Sequence, residues 1–528
     1  MKKRFLSVLA FALAICMILL TLTACLGDTN EEGGSPETGS PETGSPETGN
    51  PEDGGNPPAA HTHDYTVQKA SADYLATAAS CTSKATYYYS CACGEAGTQT
   101  FEGGVTSCKY ENGACKWCET PEPAETDGLL YSLVWNDEAY MVIGYEGTAS
   151  EVYIPAMHDG KPVVQIRGRA FAENATITSV IIGDNVKYLN NEVFADCVNL
   201  RSVVIGRSIT EIDERAFAWC ESLESVILPD ALTVIDESAF WMCSSLASVR
   251  IPYGVTTIGE EAFGRCDSLV SVRIPGSVTS IGKKAFSWCL ALQSIEVDAH
   301  NAHYSSLQGN LYNKDQTTLL QYAMGKTETD FTIPDSVTTI GYYAFAYCEN
   351  IVNLVIPNSV TKVEYYAFGE VGGLQYNVKD GLCYLGNAEN PYLFLACAEN
   401  KSITTAVVDK NCRFINDFAF DFCTKLTTVT FEQGSKLTSI GSCAFFYCDA
   451  LEGIEIPTGV THLNAPFYAC PVLERITFVD AENWYITDDY DDFEARTGGT
   501  AFNVTDGAAN VTSFLETYQF HYWYRKTA

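Results

Sequence analysis

A phenylalanine returns every 23 residues through the middle of this 528-residue chain. Its regular positions are Phe171, Phe194, Phe217, Phe240, Phe263 and Phe286, and Phe345 and Phe368 resume the spacing after an insertion. Phe420, Phe445 and Phe467 continue it less regularly. A unit this short cannot bury its own apolar side chains, so successive units must stack and share one core. The repeat therefore predicts a solenoid.

Each repeat unit contains three segments. The first, such as LESVILP or LASVRIP, alternates apolar and polar residues and predicts a short strand closed by proline. The second, such as ITEID or VTTIG, is also extended. The third, such as AFAWC or AFGRC, predicts a tight helical or 3₁₀ turn that carries its alanine, phenylalanine and cysteine inward. Parallel strands of successive units would lie about 4.8 Å apart.

A cysteine follows most of these phenylalanines by three residues. The ladder cysteines are Cys197, Cys220, Cys243, Cys266, Cys289, Cys348, Cys423, Cys448 and Cys470. A nucleophilic thiol needs a base within reach, but no histidine recurs with the repeat. A zinc site needs ligands that converge on one point, whereas equivalent thiols in stacked units lie in a single file. Their parallel Cα–Cβ bonds also fit poorly with the torsion of about 90° that a disulfide requires. We therefore predict that the ladder cysteines are small core residues. No role is predicted for the four cysteines off the ladder, Cys383, Cys397, Cys412 and Cys443.

The combined pattern LxSVxIPxxVTxIGxxAFxxC closely resembles the BspA-type leucine-rich repeats of bacterial surface proteins. The resemblance covers residues 163 to 479 and recurs in many tandem copies. It implies an α/β leucine-rich repeat solenoid with short parallel strands. Asn174 and Val371 replace the cysteine in their units, so no chemistry that every coil needs can depend on that thiol.

Two caps are expected to flank a solenoid over residues 163–480, because an open end exposes core and strand edges. Within the N-terminal cap over 121–162, residues 128–145 resemble the hairpin that covers the first coil in the family. Within the C-terminal cap over 481–528, YWYRK resembles the family's closing strand. Residues 303–337, and the segment near Tyr384, resemble the family's recurrent insertion.

The N-terminus has the pattern of a secretory signal, with basic residues at positions 2–4 and an apolar run from 5 to 22. LTAC, at residues 22–25, resembles the lipobox of bacterial lipoproteins. That resemblance implies cleavage of residues 1–24 and lipidation of Cys25. An uncleaved anchor is the alternative, since the run is about long enough to cross a bilayer. The SPETG repeats within 25–60 predict a disordered stalk, because they cannot bury enough apolar area to fold.

A small module rich in cysteine and histidine is predicted over residues 61–120. Its potential ligands are His63, Cys81, Cys91, Cys93, Cys108, Cys115 and Cys118, with His61 nearby. The CACG and CKWC pairs resemble zinc knuckles, in which thiolates grip one tetrahedral ion. The six cysteines permit three disulfides instead, and free thiols are a third possibility. In either bonded form the role is structural, because so small a segment lacks its own core.

The chain is strongly acidic, with a formal net charge of −34. This field repels phosphate backbones, and no basic stripe is present, so we expect no nucleic-acid binding. No HExxH or comparable catalytic motif is present, so we expect no enzymatic activity. Apart from possible zinc in the N-terminal module, no cofactor is predicted.

Ligand binding would use outward positions that vary between units. The candidates are Trp219, Arg250, Arg273, Trp288, Tyr342, Tyr343, Tyr347, Tyr365 and Tyr366. Exposed aromatic residues and arginines most often anchor interfaces. The repeat predicts one patch for Tyr342, Tyr343, Tyr365 and Tyr366. The alternative is that these rings only shield the turns and pack between coils.

Two functional hypotheses follow. The first is a lipid-anchored, extracytoplasmic protein on a bacterial surface, expected to be a monomer, that holds protein or glycan ligands of a host or neighbouring cell. Adhesion to such proteins is what the BspA-type resemblance implies, at the level of the fold. The second is an envelope spacer or scaffold without a soluble ligand. A hydrolase using cysteine and histidine is the reading that the sequence favours least.

Overall fold

The computed structural model describes residues 122–504, 510–511 and 521–526, together with five short strands between residues 75 and 115. These strands are β1 Leu75–Thr77, β2 Ala85–Ser90, β3 Ala96–Gly103, β4 Tyr110–Glu111 and β5 Ala114–Cys115. β1, β2 and β3 form an antiparallel sheet, and β4 pairs with β5.

Residues 122–297 contain a hairpin followed by regular coils. Their strands are β6 Leu129–Val134, β7 Ala139–Tyr145, β8 Glu151–Ile154, β9 Met157–His158, β10 Lys161–Ile166, β11 Ser179–Ile182, β12 Tyr188–Leu189, β13 Ser202–Val204, β14 Glu211–Ile212, β15 Ser225–Ile227, β16 Val234–Ile235, β17 Thr257–Ile258, β18 Ser271–Ile274, β19 Ser280–Ile281 and β20 Ser294–Val297.

The remaining strands alternate between hairpins and coils. They are β21 Tyr304–Leu307, β22 Asn310–Asn313, β23 Thr318–Gln321, β24 Asp330–Thr332, β25 Thr339–Ile340, β26 Asn353–Val355, β27 Lys362–Val363, β28 Asn377–Lys379, β29 Leu382–Leu385, β30 Phe394–Ala398, β31 Thr405–Val408, β32 Phe414–Ile415, β33 Thr428–Phe431, β34 Ser439–Ile440, β35 Gly453–Ile456, β36 His462–Asn464, β37 Arg475–Phe478, β38 Trp484–Thr487, β39 Thr500–Phe502 and β40 Tyr522–Arg525. Helix α1, Tyr490–Ala495, lies between β38 and β39.

The first and second segments of successive units form two rows of parallel strands. In the first row, Val203 in β13 lies opposite Val226 in β15, one repeat later. In the second row, Ile235 in β16 lies opposite Ile258 in β17. The 23-residue offset is the repeat period, so the predicted solenoid of short parallel strands is confirmed.

The phenylalanines form a stacked core column. The ring of Phe240 is fully buried, and its centroid lies 5.3 Å from that of Phe217 and 5.4 Å from that of Phe263, with nearly parallel ring planes. The ladder cysteines lie beside this column, fully or almost fully buried and reduced. Their predicted packing role is confirmed.

The structure adds a hydrogen bond that the sequence did not reveal. The thiol of Cys243 donates to the backbone carbonyl of Phe217 in the preceding coil, at 3.2 Å. The thiols of Cys220 and Cys266 donate in the same way to the carbonyls of Phe194 and Phe240. Burial raises the pKa of the Cys289 thiol to about 12. A protonated, buried thiol is a poor nucleophile.

The predicted helical or 3₁₀ turn is wrong, because the AFxxC segments are consecutive β-turns. In one of them Ala218 N donates to Arg215 O and Cys220 N donates to Phe217 O, at 3.1 and 3.2 Å. Between these bonds Trp219 N donates outside its own turn, to Trp241 O of the next coil, at 2.8 Å. Alternate amides therefore join neighbouring coils, which a helix does not allow.

Two hairpins interrupt the second row of strands. β21 and β22 precede β23, and β28 and β29 precede β30. The buried side chains accordingly fall into three clusters, here called blocks one, two and three in chain order. At the N-terminal end of the coils β7 pairs antiparallel with β6 and parallel with β10, and at the C-terminal end β40 pairs antiparallel with β36 and β38.

Candidate ligand-binding surface

Each turn holds two residues in the left-handed backbone conformation: the one before AF and the one before the cysteine. The first position includes Arg215, Glu261, Lys284, Tyr343, Tyr366 and Phe418, and the second includes Trp219, Arg265, Trp288, Tyr347, Phe422 and Tyr447. This conformation costs an L-residue about 1–2 kcal/mol and favours Gly, Asn or Asp. Large side chains nevertheless occupy these positions, and strain of this kind concentrates at functional sites.

Six aromatic side chains form a continuous row along these turns, here called the turn band. Its members are Trp288, Tyr343, Tyr347, Tyr366, Phe418 and Phe446, all half-buried. The Trp288 centroid lies 5.6 Å from Tyr343 and 5.5 Å from Tyr347. Tyr343 lies 4.8 Å from Tyr366, which lies 6.3 Å from Phe418, and Phe446 is a further 6.3 Å along. Four predicted surface residues thus meet in this row: Trp288, Tyr343, Tyr347 and Tyr366.

The four tyrosines expected to form one patch lie together. Tyr342 and Tyr365 are 5.5 Å apart between ring centroids, and Tyr342 is 5.0 Å from Tyr343. Burial raises the pKa of Tyr342, Tyr343, Tyr365 and Tyr366 well above its usual range, so their hydroxyls stay protonated.

Helix α1 contacts one side of this patch. The Tyr490 ring lies 5.7 Å from that of Tyr342, and its hydroxyl accepts a hydrogen bond from Tyr365 N at 3.1 Å. Helix α1 therefore packs against Tyr342 and Tyr365. Tyr343 and Tyr366 instead belong to the turn band.

Three cationic side chains lie over rings at the Trp288 end of this surface. The Arg265 guanidinium is 5.5 Å from the Trp288 centroid, and Lys284 Nζ is 5.4 Å from that of Tyr343. Lys283 Nζ lies 4.9 Å from the Tyr490 ring. Such contacts are worth about 0.5–1 kcal/mol at exposed sites. Lys284 also pairs with Glu260 at 3.5 Å and with Glu261, so its charge is balanced within the protein.

Trp219 lies apart from the turn band and packs edge-to-face on Trp241, with centroids 4.9 Å apart. Trp241 was missed because it follows the phenylalanine, a position taken elsewhere by small residues such as Ala218, Gly264 and Ser287. The available signal was a large aromatic residue at a position where other units have a small one. The same signal would have indicated Phe446 as a surface candidate. The indole N–H groups of Trp241 and Trp288 are buried without an acceptor among the described residues.

Arg250 and Arg273 are not brought to the turn band. Arg250 pairs with Asp230 at 3.1 Å, and Arg273 pairs with Asp298 at 3.1 Å. Arg273 lies in β18 of the first row, Arg250 occupies the equivalent position one unit earlier, and both have acidic partners. They do not add to the aromatic surface.

A cavity of about 510 Å³ lies where the second row is interrupted between β27 and β30, with Phe493 of α1 in its lining. Arg496 Nε donates to His462 Nε2 at 3.2 Å, and Lys362 pairs with Glu364 at 2.9 Å. Burial, followed by the charges of Arg496 and Lys362, lowers the pKa of His462 to about 3. The basic side chains thus have partners within the cavity wall.

Several predicted sites lie outside the described residues. They are Cys25, His63, Cys81, Cys91, Cys93, Cys108 and Cys118. Cys115 contributes only its backbone, in β5. Within the part of the chain that the structure describes, no group of three or more His, Cys, Asp or Glu side chains is arranged to hold a metal. The same residues include no helix with the length and apolar character needed to cross a membrane.

An acidic side chain near the start of one turn is set up to respond to pH. Burial, followed by the charges of Glu211 and Asp236, raises the pKa of Asp213 to about 6. Because the pKa of Asp213 is higher in the folded protein than in the unfolded chain, its carboxyl stabilises the folded state at pH values below the unfolded-state pKa. That contribution is lost as pH rises through the folded pKa, so the window runs from about pH 4 to pH 6.

We expect Asp213→Asn to raise the melting temperature by about 1–2 °C at pH 7.5. The gain should shrink towards zero at pH 4, because the wild-type carboxyl is then protonated. Thermal melts of both proteins across this range measure it. Asp335→Asn, at an exposed carboxylate, is the control and should show no such trend. A pH-independent difference for the Asp213 variant would contradict the mechanism.

Comparison with known proteins bears on the repeat region. A protein-family model, the BspA type leucine-rich repeat region, matches this chain in six copies over residues 164–293, 321–388 and 390–490. A leucine-rich repeat protein from Eubacterium ventriosum is 22% identical, with coverage of 67% of this chain and 83% of that one and a TM-score of 0.42. A leucine-rich cell surface protein from Faecalibacterium prausnitzii is 23% identical, with coverage of 72% and 99% and a TM-score of 0.43.

A comparison with curated proteins found no significant match. The assignment therefore rests on the family model, which spans more than half of the chain, and on the repeat geometry. The described coils have the matching strands, the phenylalanine column and the cysteine ladder. The chain belongs to the BspA-type leucine-rich repeat family.

Proposed function

We propose that this protein is a non-catalytic binding protein on a bacterial cell surface, and that its turn band holds a protein or glycan ligand. BspA-type leucine-rich repeat proteins are generally surface proteins, and solenoids of this class are typically non-catalytic. The turn band is the observation that carries the proposal. It presents six contacting rings along successive turns, several of them on strained backbone.

The chemistry of the turn band suits ligand binding. Tyrosine and tryptophan supply large contact areas and lose little conformational entropy, and with arginine they dominate interface energetics. The Arg265 guanidinium lies over Trp288 and adds a cationic group beside the band, whereas Lys284 is already paired with Glu260 and Glu261. Phe422 and Tyr447 extend the surface, with 42% and 39% of their area exposed.

We also propose that a lipid anchor and a stalk hold the protein at a distance from the membrane. Lipidated Cys25 would hold the protein to the membrane, since two or more acyl chains anchor stably where one does not. The proline-rich stalk could extend by up to ~3.1 Å per residue. Residues 27–60 would then hold the solenoid on the order of 100 Å from the membrane at most. Both features lie outside the described residues.

We expect the double variant Tyr343→Ser with Tyr366→Ser to weaken ligand capture at least tenfold, because it removes two adjacent rings of the turn band. The soluble protein from residue 61 onwards would first be screened against immobilised matrix proteins and glycans. Titration of the ligands found then gives the affinity of each variant. Tyr253→Ser is the matched control, since Tyr253 is an exposed tyrosine outside the band.

The melting temperature separates binding from packing. We expect the double variant to melt within a few degrees of the wild type while it loses affinity. A loss of folded structure that matches the loss of capture would instead make these rings packing residues. If neither panel yields a ligand, the spacer hypothesis takes its place, and shortening the solenoid should then alter the envelope more than adhesion.

A further inference from the structure

Two cysteines off the ladder face each other in the second interrupting hairpin. Cys383 in β29 lies directly opposite Cys397 in β30. Directly opposed residues of an antiparallel pair project their side chains from the same face of the sheet. Cys383 is buried and Cys397 is half-buried, and burial, followed by the neighbouring Cys397 thiol, raises the pKa of the Cys383 thiol.

This placement meets the main-chain requirement for a disulfide. Facing residues of an antiparallel ladder have Cα atoms about 4.5 or 5.5 Å apart. Disulfides join cysteines whose Cα atoms are about 4.4–6.8 Å apart. The register of the β29–β30 pairing shifts immediately after Cys383, between Cys383 and Tyr384. The two cysteines therefore face each other because of the register of this hairpin.

The ladder cysteines provide the contrast. They occupy equivalent positions in successive coils, and the Cys243 thiol, for example, is committed to the carbonyl of Phe217. Off the ladder, the Cys412 thiol donates to Phe414 O at 3.2 Å. Within the described residues, Cys383 and Cys397 are the cysteines that an antiparallel pairing sets face to face.

We propose that Cys383 and Cys397 are joined by a disulfide in the mature protein, formed by exchange with the disulfide of a dithiol oxidoreductase. The half-buried Cys397 thiolate attacks one sulfur of the donor and displaces the other as a thiolate. Cys383 then attacks the Cys397 sulfur of this mixed disulfide and releases the second donor thiol. One S–S bond forms in this chain, two protons and two electrons leave it, and the donor disulfide becomes a dithiol.

The bond would close a short loop at the junction between blocks two and three. β30 starts at Phe394, whose ring packs 4.8 Å from that of Phe368 and lines the cavity. A covalent link from β29 to β30 would fasten this hairpin beside the interrupted row of strands. Closing a loop restricts the opened states of the hairpin more than its closed state.

The full chain, purified in reductant and then treated with oxidised glutathione, tests the bond. Remaining thiols are alkylated in denaturant, and trypsin releases both cysteines in one peptide, residues 380–401, because Lys379 and Lys401 flank it. We expect this peptide to be unalkylated and two hydrogens lighter than its reduced form, while the ladder peptides remain alkylated. Alkylation of both cysteines after oxidation, or a link from Cys397 to Cys423, would overturn the proposal.

Hydrogen exchange tests the consequence. Oxidised wild-type protein should exchange the amides of residues 386–393 at least tenfold more slowly than reduced protein. The double variant Cys383→Ser with Cys397→Ser should show no redox dependence there, and Cys412→Ser, the control at a buried cysteine, should retain it. The same redox dependence in the double variant would show that the effect does not come from this pair.

Discussion

Replacing Phe240 with alanine is expected to destabilise block one by about 3–5 kcal/mol. The ring is fully buried between Phe217 and Phe263, so its removal leaves a cavity in the middle of the column rather than at an end. Stacked coils share this column, and loss of one ring weakens two coil-to-coil interfaces at once. The result should be one of the largest available from a single substitution in the chain.

Hydrogen exchange resolved by block is the appropriate measurement, because long repeat arrays do not unfold in one step. Exchange should accelerate in block one and change little in block three, whose buried cluster is separate. Tyr253→Ala removes an exposed ring from block one and should cost less than about 0.5 kcal/mol. If the two substitutions destabilised block one equally, the phenylalanine column would not be a main source of its stability.

Replacing Trp523 with alanine is expected to open the C-terminal end of the solenoid, again at about 3–5 kcal/mol. Trp523 is fully buried, its ring lies 4.4 Å from that of Phe502, and its strand β40 pairs with both β36 and β38. Loss of this strand would expose the edge of β36, and exposed edges promote association between chains. We therefore expect lower stability together with aggregation.

Light scattering and exchange at β36 measure this result. Tyr485→Ala serves as the control, because Tyr485 lies in β38 of the same sheet but is only half-buried. It should leave the protein monodisperse. A Trp523 variant that stays monodisperse with unchanged exchange at β36 would show that β40 is not the strand that protects this end.

The repeat predicted the core because its information is local and recurrent. Phe217, Cys220 and Leu223 recur at fixed positions, and each is fully buried. Equivalent residues one period apart become neighbours in successive coils, so the spacing also predicted that Tyr343 and Tyr366 would meet. The turns were predicted less well, because their left-handed residues, such as Arg215 and Trp219, carry no glycine or asparagine signal.

The 23-residue period was enough to predict the solenoid, its stacked phenylalanines and its buried thiols, because each unit can bury its apolar residues only against the next unit. Contacts that do not follow the period became visible only in the folded chain. Tyr490 lies in helix α1, outside the two rows of strands, yet it packs against Tyr342 and Tyr365. Cys383 faces Cys397 through the register of one irregular hairpin. Such contacts depend on where the chain folds back, which a periodic pattern does not specify.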